Sequence, residues 1–264
     1  MNSLSAALIG QGISQSLSPE LHRAAGRSVG ITVEYDLVDV SPEHLPKSLS
    51  RLADAGLSGW NVTAPYKRAV HDWVHQMSPL AERLGAVNTV VVGADGSMLG
   101  HNTDVAGFEL LLDAWKGDRA IVLGAGGAAA AAVDVLANRT THLEIVNRSL
   151  ERANSLRARL APNALIHPIT DLSRILHDAD LLVNAIGSGI RALLPALDLG
   201  SLARNGLILD LSYGAQAHAL VTAASHANRE ARDGLDMLIG QGIASFELWT
   251  GLRPDLDSVR SALR

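Results

Sequence analysis

The chain of 264 residues contains no cysteine. Disulfides, catalytic thiolates and cysteine-ligated zinc are therefore excluded from its chemistry. Aromatic residues are also scarce, at 3%, whereas hydrophobic residues make up 47% of the chain. A composition rich in glycine, alanine and leucine favours helices packed closely on a sheet over an aromatic-rich β-sandwich.

The sequence also lacks long runs of one charge, and its formal net charge is only −5. Basic stripes interleaved with aromatics, which are typical of nucleic-acid binders, do not occur, so we expect a small-molecule ligand. No Lys or Arg precedes Arg23, and the most apolar window, residues 120–137, is interrupted by glycines and Asp134. We therefore expect no signal peptide, no membrane span and a cytoplasmic location.

The second half of the chain alternates short apolar segments with longer helical stretches, which predicts βαβ units. Because the apolar segments are nearly continuous in Val, Ile and Leu, they fit central parallel strands of a doubly wound sheet. We assign a Rossmann domain to residues 104–236. Its predicted strands are Ala120–Leu123, Leu143–Val146, Ala164–Ile169, Asp180–Ile186 and Leu207–Leu211.

The remaining residues, 1–103 plus 237–264, read as a mixed α/β substrate-binding lobe, and we expect a cleft between the two domains. Residues 93–96 form a polar, glycine-containing connection typical of a hairpin, so part of this sheet is predicted to be antiparallel. Residues 108–115 and 239–249 show helical spacing of large apolar side chains. The predicted strands of this lobe are Ala6–Ile9, Ile31–Leu37, Val87–Val92 and Met98–His101.

A glycine-rich turn follows the first predicted strand of the Rossmann domain and consists of Gly124, Ala125, Gly126, Gly127 and Ala128. Glycines at such a turn allow close approach of a pyrophosphate, whose charge is stabilised by free N–H groups at the start of the next helix. This context predicts a dinucleotide site. The alternative is a turn that only lets the helix pack closely on the sheet.

The end of the second predicted strand indicates which dinucleotide binds. An NAD-binding protein carries an acidic residue about 20 residues after the glycine turn, but this chain has Asn147, Arg148 and Ser149. A guanidinium can pair with a 2′-phosphate, so we expect NADP rather than NAD. The alternative is that Arg148 is an ordinary solvated arginine.

Several polar clusters in the first lobe follow predicted strands. Lys67, one of only three lysines, closes the segment Gly59–Lys67, Asn88 lies near the start of the first predicted hairpin strand, and Asp104 follows the second. Ser18 is predicted to be the N-cap of a helix that has Pro19 in its first turn. Each residue also has a simpler interpretation, since serine caps helices, asparagine favours turns, and Asp104 fits the cap of a helix beginning near Val105.

The ordered motifs Ser-x-Ser-Pro, Asn-Val-Thr-x-Pro-x-Lys, Asn-Thr, Asn-Thr-Asp and Gly-x-Gly-Gly-Ala resemble those of the shikimate dehydrogenase family. The resemblance continues through residues 147–149, 210–213 and 233–241 and so spans almost the whole chain. It implies NADP-dependent, reversible oxidation of shikimate to 3-dehydroshikimate in the pathway to aromatic amino acids. It also implies a monomer or a homodimer.

The resemblance further implies roles for particular residues. Lys67 and Asp104 would form the catalytic pair, without a metal. The substrate would be bound by Ser16, Ser18, Asn61, Thr63, Asn88, Tyr213 and Gln241. NADP would be bound by Gly124, Ala125, Gly126, Gly127, Ala128, Asn147, Arg148 and Ser149, with Leu211 and Gly234 near the nicotinamide. Oxidising an alcohol needs a group that takes the hydroxyl proton, and Lys67 either accepts it directly or positions and polarises the hydroxyl.

Three departures from the family pattern leave the substrate open. Gly12 stands where the family commonly has proline, Ile186 stands where a hydroxyl residue is usual, and Gly214 replaces another frequent proline. The alternative substrates are therefore quinate and other analogues of shikimate. Methylenetetrahydrofolate dehydrogenase is disfavoured because its Tyr-x-x-x-Lys motif is missing. A non-catalytic NADP sensor is disfavoured because both Lys67 and Asp104 are retained.

Overall fold

The computed structural model describes residues 3–264 of the chain. Contacts divide the chain into two compact units: unit 1 is Met1–Gly107 with Leu238–Arg264, and unit 2 is Phe108–Met237. Each unit is built of helices and a six-stranded sheet, which confirms the predicted α/β fold class. Within residues 3–264, no helix is both long enough and apolar enough to span a bilayer.

The sheet of unit 1 is mixed, as the sequence predicts. Its strand order is β2-β1-β3-β5-β6-β4, in which β1 pairs in parallel with both β2 and β3 while β5 is antiparallel to β3 and β6. The antiparallel β5–β6 pair confirms the predicted hairpin. The strands are β1 (Ser3–Gly10), β2 (Thr32–Asp39), β3 (Gly59–Val62), β4 (Gln76–Met77), β5 (Thr89–Val92) and β6 (Met98–His101).

The sheet of unit 2 is parallel throughout, with the order β12-β11-β10-β7-β8-β9. Counted within the unit, this is the doubly wound order of a dinucleotide-binding fold, with its switch point between β7 and β10. All five predicted strands are confirmed, and β12 is an additional edge strand. The strands are β7 (Arg119–Leu123), β8 (His142–Asn147), β9 (Leu165–Pro168), β10 (Leu181–Asn184), β11 (Leu207–Asp210) and β12 (Glu230–Arg232).

Eleven α-helices lie among the described residues, together with short 3-10 turns. They are α1 (Ser18–Val29), α2 (Leu45–Asp54), α3 (Lys67–Trp73), α4 (Pro79–Leu84), α5 (Asp104–Leu112), α6 (Gly127–Leu136), α7 (Leu150–Leu160), α8 (Leu172–Ile175), α9 (His218–His226), α10 (Leu235–Thr250) and α11 (Leu256–Leu263).

The predicted helix at residues 108–115 is only partly correct. Phe108, Leu111 and Leu112 are buried in α5, but the helix ends before Trp115. Asp113 has a φ of 52°, and a residue in this left-handed region ends the regular helix.

Helix α10 begins within the last three residues of unit 2, and Trp249 near its end packs on the sheet of unit 1. Trp249 is buried, and its indole nitrogen donates a hydrogen bond of 2.9 Å to the carbonyl oxygen of Val90 in β5. A Cβ at Gly59 in β3 would collide with this indole and with the same carbonyl oxygen. The absence of a side chain at Gly59 therefore lets the helix approach the sheet closely.

Candidate active site

Lys67 is fixed at the start of α3 by backbone bonds on both sides. The N–H of Tyr66 bonds to the carbonyl oxygen of Thr63 at 3.0 Å, and the Lys67 carbonyl oxygen accepts from the N–H of Val87 at 2.9 Å. The Lys67 ammonium donates to Asp104 Oδ2 at 2.6 Å, and the two side chains are 16% and 4% exposed. The structure therefore brings the two residues of the predicted catalytic pair into direct contact.

Asp104 is the first residue of α5, and both of its carboxylate oxygens accept hydrogen bonds. Oδ2 accepts from Lys67, and Oδ1 accepts from the side-chain amide of Asn88 at 2.8 Å. Its backbone N–H bonds to the side chain of Asn102 at 3.0 Å. The simpler interpretation of Asp104 as a helix cap is thus wrong. Asn102 accepts from the first N–H of α5, and the Asp104 carboxylate binds the side chains of Lys67 and Asn88 instead.

Asn88 lies immediately before β5 and is oriented by its neighbours. Its amide oxygen accepts from the backbone N–H of Thr103 at 2.8 Å and from the hydroxyl of Thr89 at 3.0 Å. The Asn88 amide nitrogen donates to Thr103 Oγ1 at 3.0 Å as well as to Asp104. Asn88 therefore connects Asp104 to a buried group of hydroxyls.

Asn61 is the centre of this buried group, which we call the Asn61 network: His22, Tyr35, Asn61, Asn88, Thr89, Thr103 and Ser245. Its amide nitrogen lies 3.0 Å from Thr89 Oγ1 and 2.9 Å from Ser245 Oγ, and its oxygen accepts from the Tyr35 hydroxyl at 2.8 Å. The oxygen also lies 3.2 Å from His22 Nε2. The substrate-binding role expected for Asn61 stays a prediction; in this structure protein groups contact both ends of its buried amide.

Five members of the network were not predicted as site residues: His22, Tyr35, Thr89, Thr103 and Ser245. Ser245 Oγ donates to the carbonyl oxygen of Gln241, one turn earlier in α10, at 2.8 Å, and also contacts Thr89 and Thr103. Residues four apart share a helix face, so the position of Gln241 is the sequence signal that could have identified Ser245.

His22 lies in α1 and is completely buried. It stacks on Tyr35 with a centroid distance of 4.4 Å. Burial lowers the pKa of His22 from its ordinary value of 6.5 to about 3, against a smaller raising effect of the hydrogen bond to Asn61. His22 is therefore neutral at physiological pH, and no sequence pattern distinguishes it from the other nine histidines.

The two serines predicted to bind a carboxylate adjoin the start of α1. Ser16 Oγ accepts from the backbone N–H of Ser18 at 3.2 Å, and the two hydroxyls lie 3.1 Å apart. The prediction that Ser18 is the N-cap is wrong: the helix begins at Ser18, Leu17 occupies the cap position and no side chain caps the helix. Ser16 takes the local role expected of Ser18, since it accepts from a backbone N–H two residues later.

Thr63 and Gln241, the other predicted substrate ligands of unit 1, are partly exposed. Thr63 follows β3, and its backbone N–H bonds to the carbonyl oxygen of Ile9 at 3.0 Å. The Gln241 side chain donates to the carbonyl oxygen of Leu238 at 2.8 Å. Tyr213, also a predicted ligand, lies in unit 2 after β11.

The glycine-rich turn of unit 2 connects β7 to α6. Gly124 has a φ of 125°, which a residue with a side chain rarely adopts, and a Cβ there would lie 3.1 Å from the carbonyl oxygen of Ala185 after β10. Gly126 is the N-cap and provides no capping side chain, so the first N–H groups of α6 have no side-chain acceptor. Gly127 and Ala128 begin the helix. This arrangement fits a diphosphate at the switch point of the sheet.

Asn147, Arg148 and Ser149 form the connection between β8 and α7. The Asn147 amide donates to the carbonyl oxygen of Ser149 at 2.9 Å, and the Ser149 hydroxyl caps α7 by accepting from the N–H of Arg152. These bonds fix the backbone on either side of Arg148, whose side chain is exposed. The guanidinium is thus accessible to an anionic group.

Leu211 and Gly234 are adjacent in the structure. The N–H of Gly234 bonds to the carbonyl oxygen of Ser212 at 2.7 Å, and a Cβ at Gly234 would collide with the Leu211 carbonyl. The preceding residue, Asp210, is completely buried and accepts from Asn184 and from the N–H of Ser212. Burial raises the pKa of the Asp210 carboxyl. These contacts hold the loop after β11 in one conformation.

Among residues 3–264, no cluster of three His, Asp or Glu side chains is arranged to hold a metal ion. A doubly wound sheet with a glycine turn at its switch point, in one chain with a buried Lys–Asp pair, defines a nicotinamide-dependent oxidoreductase. Comparisons with known proteins identify the family within this class.

Three family models match the chain in succession. They are the shikimate dehydrogenase substrate binding domain over residues 8–90, shikimate / quinate 5-dehydrogenase over residues 108–225 and the shikimate 5'-dehydrogenase C-terminal domain over residues 234–264. A shikimate dehydrogenase (NADP(+)) of Rubrobacter xylanophilus is 40% identical over 97% of this chain and 94% of its own length. The chain belongs to the shikimate dehydrogenase family.

Two solved structures show the same fold over nearly the full length. Shikimate 5-dehydrogenase from Thermus thermophilus, in complex with NADP(H) and shikimate, is 32% identical with a TM-score of 0.80 and covers 98% of each chain. Quinate dehydrogenase from Corynebacterium glutamicum, in complex with NAD, is 30% identical with a TM-score of 0.83, covering 99% of this chain and 98% of its own.

Proposed function

We propose that this chain catalyses the NADP-dependent, reversible oxidation of shikimate to 3-dehydroshikimate. The observation that carries the proposal is the buried contact of 2.6 Å between Lys67 and Asp104, with Asn88 bonded to the second carboxylate oxygen. Relatives named shikimate dehydrogenase (NADP(+)) along the whole chain support the same reaction.

The proposed chemistry divides between binding and proton transfer. The carboxylate and hydroxyls of the substrate are bound by Ser16, Ser18, Asn61, Thr63, Asn88, Tyr213 and Gln241. Lys67 lies against the reacting hydroxyl and either accepts its proton or polarises it. Asp104 holds the Lys67 ammonium in place and relays the proton with it. When the alcohol is oxidised, its carbinol hydrogen leaves as hydride.

NADP, when bound, accepts this hydride. The residues around the glycine turn fit such a group, since Gly124 leaves no Cβ in the way and the start of α6 offers free N–H groups. We assign diphosphate binding to residues 124–128, the 2′-phosphate to residues 147–149 and the nicotinamide surroundings to Leu211 and Gly234. We assign the NADP-binding domain to residues 104–236, which also contain Asp104 and Tyr213, and the substrate-binding lobe to residues 1–103 plus 237–264, in a cytoplasmic monomer or homodimer.

Replacing Lys67 with alanine tests the role of the pair. We expect kcat for shikimate to fall by about 10³-fold, in the range of general acid–base catalysis, with little change in NADP affinity. The matched control is Lys47→Ala, which removes an exposed lysine of α2 and is expected to leave both quantities unchanged. A fully active Lys67→Ala enzyme would refute the assignment.

Oxidation of quinate is the second candidate activity, because a quinate dehydrogenase shares the fold at a TM-score of 0.83. Steady-state kinetics with shikimate and quinate, each with NADP and NAD, distinguish the two. We expect the highest kcat/KM for shikimate with NADP. A higher kcat/KM for quinate with NAD would replace the first proposal by the second.

A further inference from the structure

The loop between β1 and α1, residues 11–17, is attached to the neighbouring strand by a single carboxylate. Asp39 is the last residue of β2 and pairs with Gly10 at the end of β1. Its Oδ1 accepts from the N–H of Gly12 at 2.8 Å, and its Oδ2 accepts from the N–H of Ile13 at 3.1 Å. Both oxygens of one side chain therefore hold two successive residues of the loop.

The backbone conformation at position 12 fits glycine and does not fit the proline that is common in the family. The Gly12 φ of 67° lies in the left-handed region, whereas a proline ring fixes φ near about −65° and leaves no N–H. Proline at position 12 would thus remove both the backbone conformation and the bond to Asp39. In this chain the loop is restrained by the two hydrogen bonds from Gly12 and Ile13 to the Asp39 carboxylate.

From Ile13 the restraint continues to the two serines at the start of α1. The carbonyl oxygen of Ile13, whose side chain is buried, accepts from the N–H of Ser16 at 2.9 Å. Ser16 in turn bonds to the N–H and lies against the hydroxyl of Ser18. Hydrogen bonds on both sides of Ile13 therefore connect Asp39 to the serines.

We propose that Asp39 is a positioning residue for the carboxylate end of the substrate. It acts through Gly12 and Ile13 on the serine hydroxyls and does not itself touch the substrate. The inference rests on the proposed function, in which Ser16 and Ser18 bind the shikimate carboxylate. A positioning role predicts an effect on substrate binding that is separate from the chemical step at Lys67.

The variant Asp39→Ala tests the proposal in the full-length enzyme. We expect KM for shikimate to rise about tenfold, the effect of losing roughly one charge-assisted hydrogen bond, while kcat and KM for NADP stay within about twofold. Asp39→Asn retains one acceptor oxygen and is expected to give an intermediate KM. The matched control is Asp36→Ala, which removes an exposed carboxylate from the same strand and is expected to leave KM unchanged.

A Ser16→Ala variant separates failure of this inference from failure of the proposed function. A wild-type enzyme that does not turn over shikimate refutes the proposed function itself. If the wild type is active and Ser16→Ala raises KM for shikimate but Asp39→Ala does not, the positioning role of Asp39 is overturned. The same conclusion follows if Asp39→Ala lowers thermal stability and leaves KM unchanged, or if Ser16→Ala has no effect on KM.

Discussion

Buried, neutral His22 makes the stability of unit 1 dependent on pH. Its pKa is lowered to about 3 in the folded protein and returns to its ordinary value of 6.5 on unfolding. Because the unfolded chain binds a proton between these two values and the folded chain does not, acidification favours unfolding. The stabilisation from His22 is thus complete above about pH 6.5 and is lost progressively as pH falls toward about 3.

The magnitude follows from the two pKa values. Between about pH 7 and about pH 5, one group with these constants reduces the free energy of unfolding by about 2 kcal/mol. His22→Gln removes the titrating ring and retains a donor for Asn61. The decrease in the free energy of unfolding from about pH 7 to about pH 5 should therefore be about 2 kcal/mol smaller in the variant than in the wild type, whatever the variant's absolute stability.

Urea unfolding followed by tryptophan fluorescence measures this difference. Three of the four tryptophans, Trp60, Trp73 and Trp249, lie in unit 1, so the signal reports mainly on the unit that contains His22. His75→Gln, which replaces an exposed histidine of unit 1, is the control. Identical pH dependence in wild type, His22→Gln and His75→Gln would refute the assignment of His22 as a buried neutral group.

Two further predictions concern Asn61 and Arg148. Asn61→Ala removes the partner of the Tyr35 hydroxyl and of His22 Nε2, so the free energy of unfolding should fall by about 3 kcal/mol. The control is Asn154→Ala, at an exposed position of α7, which should lower the free energy of unfolding by less than about 1 kcal/mol. A rise in KM for shikimate at unchanged stability would contradict this structural role and support Asn61 as a substrate ligand. Arg148→Asp should lower the ratio of NADP to NAD efficiency by about 10- to 100-fold, because a charge-assisted bond to the 2′-phosphate becomes a repulsion. An unchanged ratio would contradict that role.

Five strands of unit 2, β7 to β11, were predictable because each consists of a few consecutive, mostly apolar residues. Parallel strands covered on both faces read as continuous apolar segments, and the glycine turn falls between one of them and a helix. The edge strand β12 (Glu230–Arg232) escaped prediction since its three residues include two charged ones. The start of α1 was predicted one residue too late, because Ser16 and Ser18 are both residues that commonly cap helices.

The contacts of the candidate site were only partly predictable. The order of the motifs predicts that Lys67, Asn88 and Asp104 share one site, and in the structure hydrogen bonds connect these three residues. The hydrogen-bond partners of Asn61 could not be inferred in this way, since one of them, Ser245, lies 184 residues away in the chain. Asp39 was missed for a similar reason: two backbone N–H groups, which no sequence pattern displays, are its partners.

The packing of Trp249, in α10, against Gly59 has a consequence for synthesis on the ribosome. Residues 108–237 form one uninterrupted stretch, whereas residues 238–264 belong to the same unit as the first strands. The nascent chain thus presents every residue of unit 2 before it presents Ser245 and Trp249 to His22 and Asn61. Residues 238–264, which are translated after unit 2, complete a core that begins before it, and the buried amide of Asn61 gains its final hydroxyl partner only when translation has passed position 245.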